Sequence, residues 1–264
     1  MMGVLNVTPD SFSGDGTLTG PDGIRRSVDQ ALRFEDEGAD IIDVGGESTR
    51  PPSVYRGAQP VSAEIESERV LPVIDRLSTR LSVPMSIDTR KAIVAEQAVR
   101  AGASMINDVS MLGDAEMAVV ASNLKVPIVI SHTRPKAVYD DPVADVTADL
   151  RSAVDRAGNA GVGREMVIVD PGIGFGKKAE HSLAVLRRLD TIKRSLGLPV
   201  LVGTSRKSFI GAVLELPVEE RFAGTAATVA LSIAGGADIV RVHEVGAMAH
   251  VARMSDAVVR GWQA

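Results

Sequence analysis

The chain has 264 residues, no cysteine and a formal net charge of −5. A single α/β barrel domain over residues 1–264 suits that length, and the missing cysteine excludes disulfides, thiolate chemistry and Cys-ligated metal. The acidic balance and the 3% of aromatic residues argue against a nucleic-acid partner or a membrane surface; with no basic leader and no apolar run of spanning length, the expectation is a cytoplasmic protein.

Short apolar runs alternate with helix-period segments about eight times, which predicts a (β/α)8 TIM barrel with its active site at the C-terminal ends of the strands. Met2 to Val7 is the first strand, and Gly23 to Glu37 follows as a helix ended by Gly38. The second unit pairs Ala39 to Val44 with a helix that Ser62 caps and that runs to Leu77. Val83 to Ile87 leads into Lys91 to Ala101, and Ser104 to Val109 into Ala115 to Asn123. Val126 to Ile130 precedes a helix over Asp145 to Ala157, and Met166 to Val169 a helix over Leu183 to Leu196. Pro199 to Val202 feeds helices at Phe209 to Leu214 and Phe222 to Ala234, and Asp238 to Val242 the closing helix from Val245 to Trp262. Runs such as Ile128-Val129-Ile130 lack polar alternation, as strands covered on both faces should.

The strand ends carry the chemistry. In chain order they read Asn6, Asp43, Asp88, Asn107-Asp108, Ser131-His132, Asp170, Ser205 to Lys207, and Arg241 with His243. Capping alone does not call for Arg, Lys and His beside four carboxylates and two amides. Because barrels of this kind often bind phosphate after strands seven and eight, Lys207, Arg241 and His243 point to a phosphorylated substrate, with the Ser205-Arg206-Lys207-Ser208 turn adding donors. Asp88, Asn107 and Asp170, on the opposite side, suit the donor edge of a neutral heterocycle. Asp43 reads as a satisfied strand-end hydrogen bond, and Asn6 either as an amide ligand to Mg²⁺ or as a turn residue.

Three loops look like covers: Thr8 to Gly20, Gly45 to Pro60, and Asp170 to Lys178. The third is not a Walker loop, since Gly172 and Gly176 are one residue too close and Lys178 stands where Ser or Thr belongs. No dinucleotide fingerprint follows the first strand, and no elbow motif surrounds Ser131 or His132.

Seven segments in order, Gly3 to Ser13, Val44 to Pro51, Ser86 to Thr89, Ile106 to Ser110, Asp170 to Lys177, Ser205 to Gly211 and Arg241 to His243, together resemble the dihydropteroate synthase family. The resemblance implies a transferase that joins 6-hydroxymethyl-7,8-dihydropterin pyrophosphate to p-aminobenzoate, with Mg²⁺ as cofactor and a homodimer as assembly. It places the pterin on Asp88, Asn107, Asp170 and Lys207, the pyrophosphate on Thr49, Arg241 and His243, and Mg²⁺ on Asn6. Phe12, Thr49, Arg50, Pro51, Phe175, Lys207 and Ser208 would shape the p-aminobenzoate pocket, and Lys207, Arg241, His243 and Asp10 would be the catalytic set.

The sequence departs from the family pattern at Ser13-Gly14-Asp15-Gly16, at Pro52 to Arg56, which reads as an insertion, and at Ser131-His132-Thr133-Arg134-Pro135. The insertion carries the expectation of weakened sulfonamide binding. Two other readings compete: a methyltetrahydrofolate-type methyltransferase module, which needs no anion clamp, and a silent paralogue that binds pterin without turnover.

Overall fold

A computed structural model of the chain describes residues 1–8, 22–47 and 61–262. Eight parallel strands follow the chain: β1 (Met2–Asn6), β2 (Ile41–Gly45), β3 (Met85–Thr89), β4 (Met105–Asp108), β5 (Ile128–Ser131), β6 (Val167–Asp170), β7 (Leu201–Gly203) and β8 (Ile239–Val242). Their order is β6-β5-β4-β3-β2-β1-β8-β7. The remaining seam, between β6 and β7, is held by one bridge, Val169 with Val200, and by the Val169 N–H donating to Pro199 O at 3.0 Å. The predicted α/β barrel is therefore the fold.

Among the described residues ten helices wrap it: α1 (Gly23–Asp36), α2 (Ala63–Leu77), α3 (Ala92–Arg100), α4 (Met117–Leu124), α5 (Pro142–Asn159), α6 (Ala179–Arg187), α7 (Leu189–Leu196), α8 (Ser208–Leu214), α9 (Phe222–Ala234) and α10 (Val245–Arg260). Ser62 caps α2 as expected, its hydroxyl accepting from the Ile65 N–H. Two expectations need correcting. The fifth helix begins three residues early because Asp141 accepts from the N–H groups of Val143 and Ala144, and Pro142 fits the first turn, where no donor is needed. The segment read as one helix from Leu183 is two, α6 and α7, which meet at Arg188 outside helical geometry (φ −118°).

Strand side chains alternate between two destinations. Val44, Ile87, Ile106, Ile130, Val169 and Val242 face the helices in the main core. Met2, Met105, Val129 and Leu201 fill the foot of the barrel, with Ile41, Ile168 and Ile239 packed against them. Two residues further along the same inward set come Asp43, Asn107, Ser131, Asp170, Gly203 and Arg241. The barrel interior thus changes from apolar at its foot to polar at its mouth within one pleat.

Candidate active site

Parallel register lines up the mouth. Asn6 pairs with Gly45, Gly45 with Asp88, and Asp88 with Asn107, while Ser131 pairs with Asp170 and Gly203 with Arg241. Asp88 and Asn107 are 7% and 1% exposed, so their polar atoms are withdrawn from bulk water.

At the centre Arg241 joins two buried carboxylates from two other strands. Arg241 donates from Nε to Asp43 Oδ2 at 2.6 Å and from Nη2 to Asp88 Oδ2 at 2.5 Å, and Asn107 Nδ2 donates to the same Asp43 oxygen at 3.0 Å. Asp43 is therefore no strand-end cap. It sits in mid-strand, completely buried, and holds Arg241. Arg241 in turn does not belong to a separate cationic side, because its reach across the barrel places it among the carboxylates. Burial lifts the Asp88 carboxyl to about 7 against the pull of Arg241, with Asp43 among the neighbouring acids that add to it.

Five buried acceptor-capable atoms here have no partner among the described residues: Asp43 Oδ1, Ser86 Oγ, Asp88 Oδ1, Asn107 Oδ1 and Thr204 Oγ1. Such atoms are costly to leave unbonded, and together they suit a ligand rich in N–H donors.

Lys207 stands opposite, at the entry to α8, with its ammonium 4.5 Å from the Phe175 ring centroid and donating to the Ile173 carbonyl. Burial, with Arg241 nearby, lowers it to about 8, while Asp170 and Asp88 pull the other way. Burial raises Asp170, whose Oδ1 accepts from the Gly172 N–H at 2.7 Å and whose Oδ2 accepts from Ser131 Oγ at 3.4 Å. His243 is oriented by Ser205, at 2.9 Å from its Nδ1. Ser208 is exposed as the first residue of α8.

Not every residue of the sequence-derived ring faces the site. Arg206 adopts a left-handed backbone (φ 56°) and pairs with Glu244, its Nε at 2.6 Å, which removes it from the donors first read there. Asp108 is bound by the N–H groups of Ser110 and Leu112 and shapes its own loop. Asp10, Phe12, Thr49, Arg50 and Pro51 lie outside the described residues.

The glycines of the Asp170 to Lys178 loop have a geometric cause. Gly172 (φ 67°) and Gly176 (φ 55°) are left-handed, and a Cβ on either would fall 1.8 Å from His132 O or 2.2 Å from Arg134 O. The loop is pressed against the segment after β5, and Lys177 lies in the fold between them. Nothing in the sequence pattern singled out that lysine, and Asp43 read there only as a strand-end hydrogen bond.

A sequence model of the family described as pterin binding enzyme matches residues 2–243. Dihydropteroate synthase of Bacillus subtilis is 50% identical over 98% of this chain and 88% of that protein. A solved dihydropteroate synthase from Clostridium difficile, in the presence of pteroic acid, superposes with a TM-score of 0.90 at 44% identity, covering 98% of this chain and 96% of the other. The Xanthomonas albilineans enzyme with 4-aminobenzoic acid gives 0.89 at 42%, covering 97% and 92%. On sequence, fold and the polar barrel mouth alike, the chain belongs to the pterin-binding enzymes and, among them, to the dihydropteroate synthases, which are transferases.

Proposed function

We propose that the chain condenses 6-hydroxymethyl-7,8-dihydropterin pyrophosphate with p-aminobenzoate, giving 7,8-dihydropteroate and pyrophosphate. The observation that carries this reading is the set of unpartnered buried acceptors around Asp43, Asp88 and Asn107, with Lys207 and Arg241 beside it. A solved relative from Xanthomonas albilineans is in complex with 7,8-dihydropteroate, which supports the same product here.

In this mechanism the ring N–H and amino groups of the pterin bond to Asp88, Asn107 and Asp170, and Lys207 holds its acceptor edge. As the pterin takes the Asp88 oxygens, the Nη groups of Arg241 turn to the pyrophosphate while Nε stays on Asp43. His243 and Thr49 complete the anion site, Ser205 keeping the imidazole in place. The methylene C–O bond breaks with its electron pair leaving on pyrophosphate, and charge growing there is met by Arg241 and His243. The aryl amine then donates its pair to the methylene carbon and loses a proton to solvent. Phe175, Lys207 and Ser208 would border the amine's pocket; the resemblance adds Phe12, Thr49, Arg50 and Pro51 to it and Asp10 to the catalytic set, all outside the described residues.

Asn6 closes β1 at the mouth, and its carboxamide oxygen is a hard, neutral donor of the kind Mg²⁺ accepts alongside substrate phosphates, so the residue fits the ion. Bound there, Mg²⁺ would neutralise phosphate charge and ease departure of the leaving group. We place the reaction in the cytoplasm; no described helix is long and apolar enough to cross a membrane. Exposed Leu231 on α9, with Met254, Val258 and Trp262 on or just beyond α10, supports a homodimer, which sedimentation velocity tests.

The deciding assay is pyrophosphate release with and without p-aminobenzoate and Mg²⁺. Release that needs both and falls at least about 100-fold in Lys207→Ala supports the reading; pterin binding without release moves it to a silent pterin-binding protein. The insertion at Pro52 to Arg56 is proposed to weaken sulfonamides relative to p-aminobenzoate. Deleting Ser53 to Arg56 should raise sulfonamide affinity relative to substrate, and an unchanged ratio refutes the idea.

A further inference from the structure

Lys177 ends the glycine-rich loop after β6 and has no part in the chemistry above. Its ammonium turns back into the loop it closes, donating to Gly172 O at 3.0 Å and Phe175 O at 3.3 Å. Its third partner is His132 Nδ1, at 2.7 Å. In its ammonium form Lys177 thus has three donors for three acceptors, two of them carbonyls three positions apart in the same loop.

His132 is fully buried and fixed on its other side, with Nε2 3.0 Å from Asp149 Oδ2. For Nδ1 to accept from Lys177 the ring must be neutral with its proton on Nε2, directed at Asp149. Burial and the Lys177 charge hold the imidazole down at about 4, which agrees with that tautomer. Asp149 also receives Arg134 Nε at 2.7 Å, and Arg134 lies over the Tyr139 ring, whose hydroxyl donates to Gly176 O at 2.9 Å. The segment after β5 therefore grips the C-terminal end of the loop twice, at Gly176 through Tyr139 and at Lys177 through His132, and Lys177 carries the hold on to Gly172.

What the loop presents is the reason this matters. Between the tethered carbonyls lie Ile173, whose carbonyl receives the Lys207 ammonium, and Phe175, whose ring lies beneath it. Ile173 is buried in the main core, but Gly172, Gly174 and Gly176, all left-handed, bring no side chains of their own to hold the rest of the loop in shape. A tether from within replaces it.

We propose that Lys177 is a positioning residue for the second substrate: its ammonium, aligned by His132 and Asp149, pins the 172–176 loop so that Phe175 and the Ile173 carbonyl set Lys207 against the aryl amine. The role rests on the function proposed above. Acting on the pocket wall, Lys177 should govern binding of p-aminobenzoate and leave the pterin contacts at Asp88 and Asn107 alone.

The test compares wild type with Lys177→Met, which keeps the length and removes the donors, and with Asp149→Asn, a change at a partly exposed position that removes the charge facing His132. Two readouts are needed: amide hydrogen exchange of residues 172–176, and KM for each substrate with kcat. The expected result for Lys177→Met is exchange faster by at least tenfold in the loop and a KM for p-aminobenzoate raised about tenfold. The pterin KM and kcat should stay within about twofold, and Asp149→Asn should shift the same two quantities by a smaller factor. Unchanged loop exchange, or equal losses for both substrates, overturns the proposal. If the wild-type protein releases no pyrophosphate, the function is what fails, and the exchange comparison still decides whether the tether exists.

Discussion

Just before β8, Asp238 accepts from Lys193 Nζ at 2.8 and 2.9 Å, and from the Val200 N–H at 2.8 Å; Lys193 also donates to Gly236 O at 2.7 Å. Three residues on, Arg241 meets Asp43 and Asp88 inside the barrel. Both places bring a cation to a carboxylate at or beside β8. The first pair is about one-third exposed and both Asp238 oxygens are bonded, whereas the second has buried carboxylates under a one-fifth-exposed guanidinium and leaves an oxygen of each aspartate without a partner among the described residues. A charge pair at a strand end is therefore structural when its acceptors are filled, and a binding site when burial and unfilled acceptors coincide.

The sharpest way to break this distinction is Arg241→Met. Two buried carboxylates lose their compensating charge, a change that costs about 3–5 kcal/mol of stability. The loss depends on pH. Asp88 titrates near 7 in the folded protein, above its ordinary value of 3.8, so between those values the folded state holds more protons than the unfolded chain and stability falls as pH rises. Without Arg241 that fall steepens. Urea unfolding should show the variant's deficit large at pH 8 and reduced at pH 5. A deficit equal at both would mean that Arg241 does not compensate Asp88.

His132 supplies an intermediate case, a mouth residue that is buried yet bonded through both ring nitrogens. Its folded value near 4 lies below the ordinary 6.5, so its contribution is complete above pH 6.5 and is lost as pH falls toward 4. The size is up to about 3 kcal/mol. In His132→Asn the slope of unfolding free energy between pH 6.5 and 4 should flatten, and an unchanged slope would assign the acid sensitivity to other groups.

Much of this was legible in the sequence, for reasons that also explain the failures. Eight apolar runs with helices between them specify the barrel, and the polar residue ending each run identifies the mouth, because both are local patterns of period two or 3.6. Asp141-Pro142 was an equally local signal for the start of α5. Asp43 was misread because its partner is Arg241, 198 positions away, and no local pattern announces a contact that crosses the barrel. Lys177 escaped for a similar reason: its meaning depends on His132, 45 positions earlier, and on glycine conformations that spacing alone does not reveal. The segregation of cations from acceptors failed at the same place, since chain order says on which strand Arg241 lies but not how far its side chain reaches.

The smallest effect is predicted at the foot. In Lys193→Met, Asp238 keeps the Val200 N–H and can turn its freed oxygen to water, because that side of the pair is open to solvent. The Coulomb energy lost is weak for the same reason, and exposed pairs of this kind contribute about 0–1 kcal/mol. Thermal unfolding should therefore move little and the steady-state rate not at all. Since Lys193 and Arg241 flank the same strand, a loss at Lys193 as large as that in Arg241→Met would show that burial and unfilled acceptors are not what separates the two, and that β8 responds as one unit to charge removed at either end.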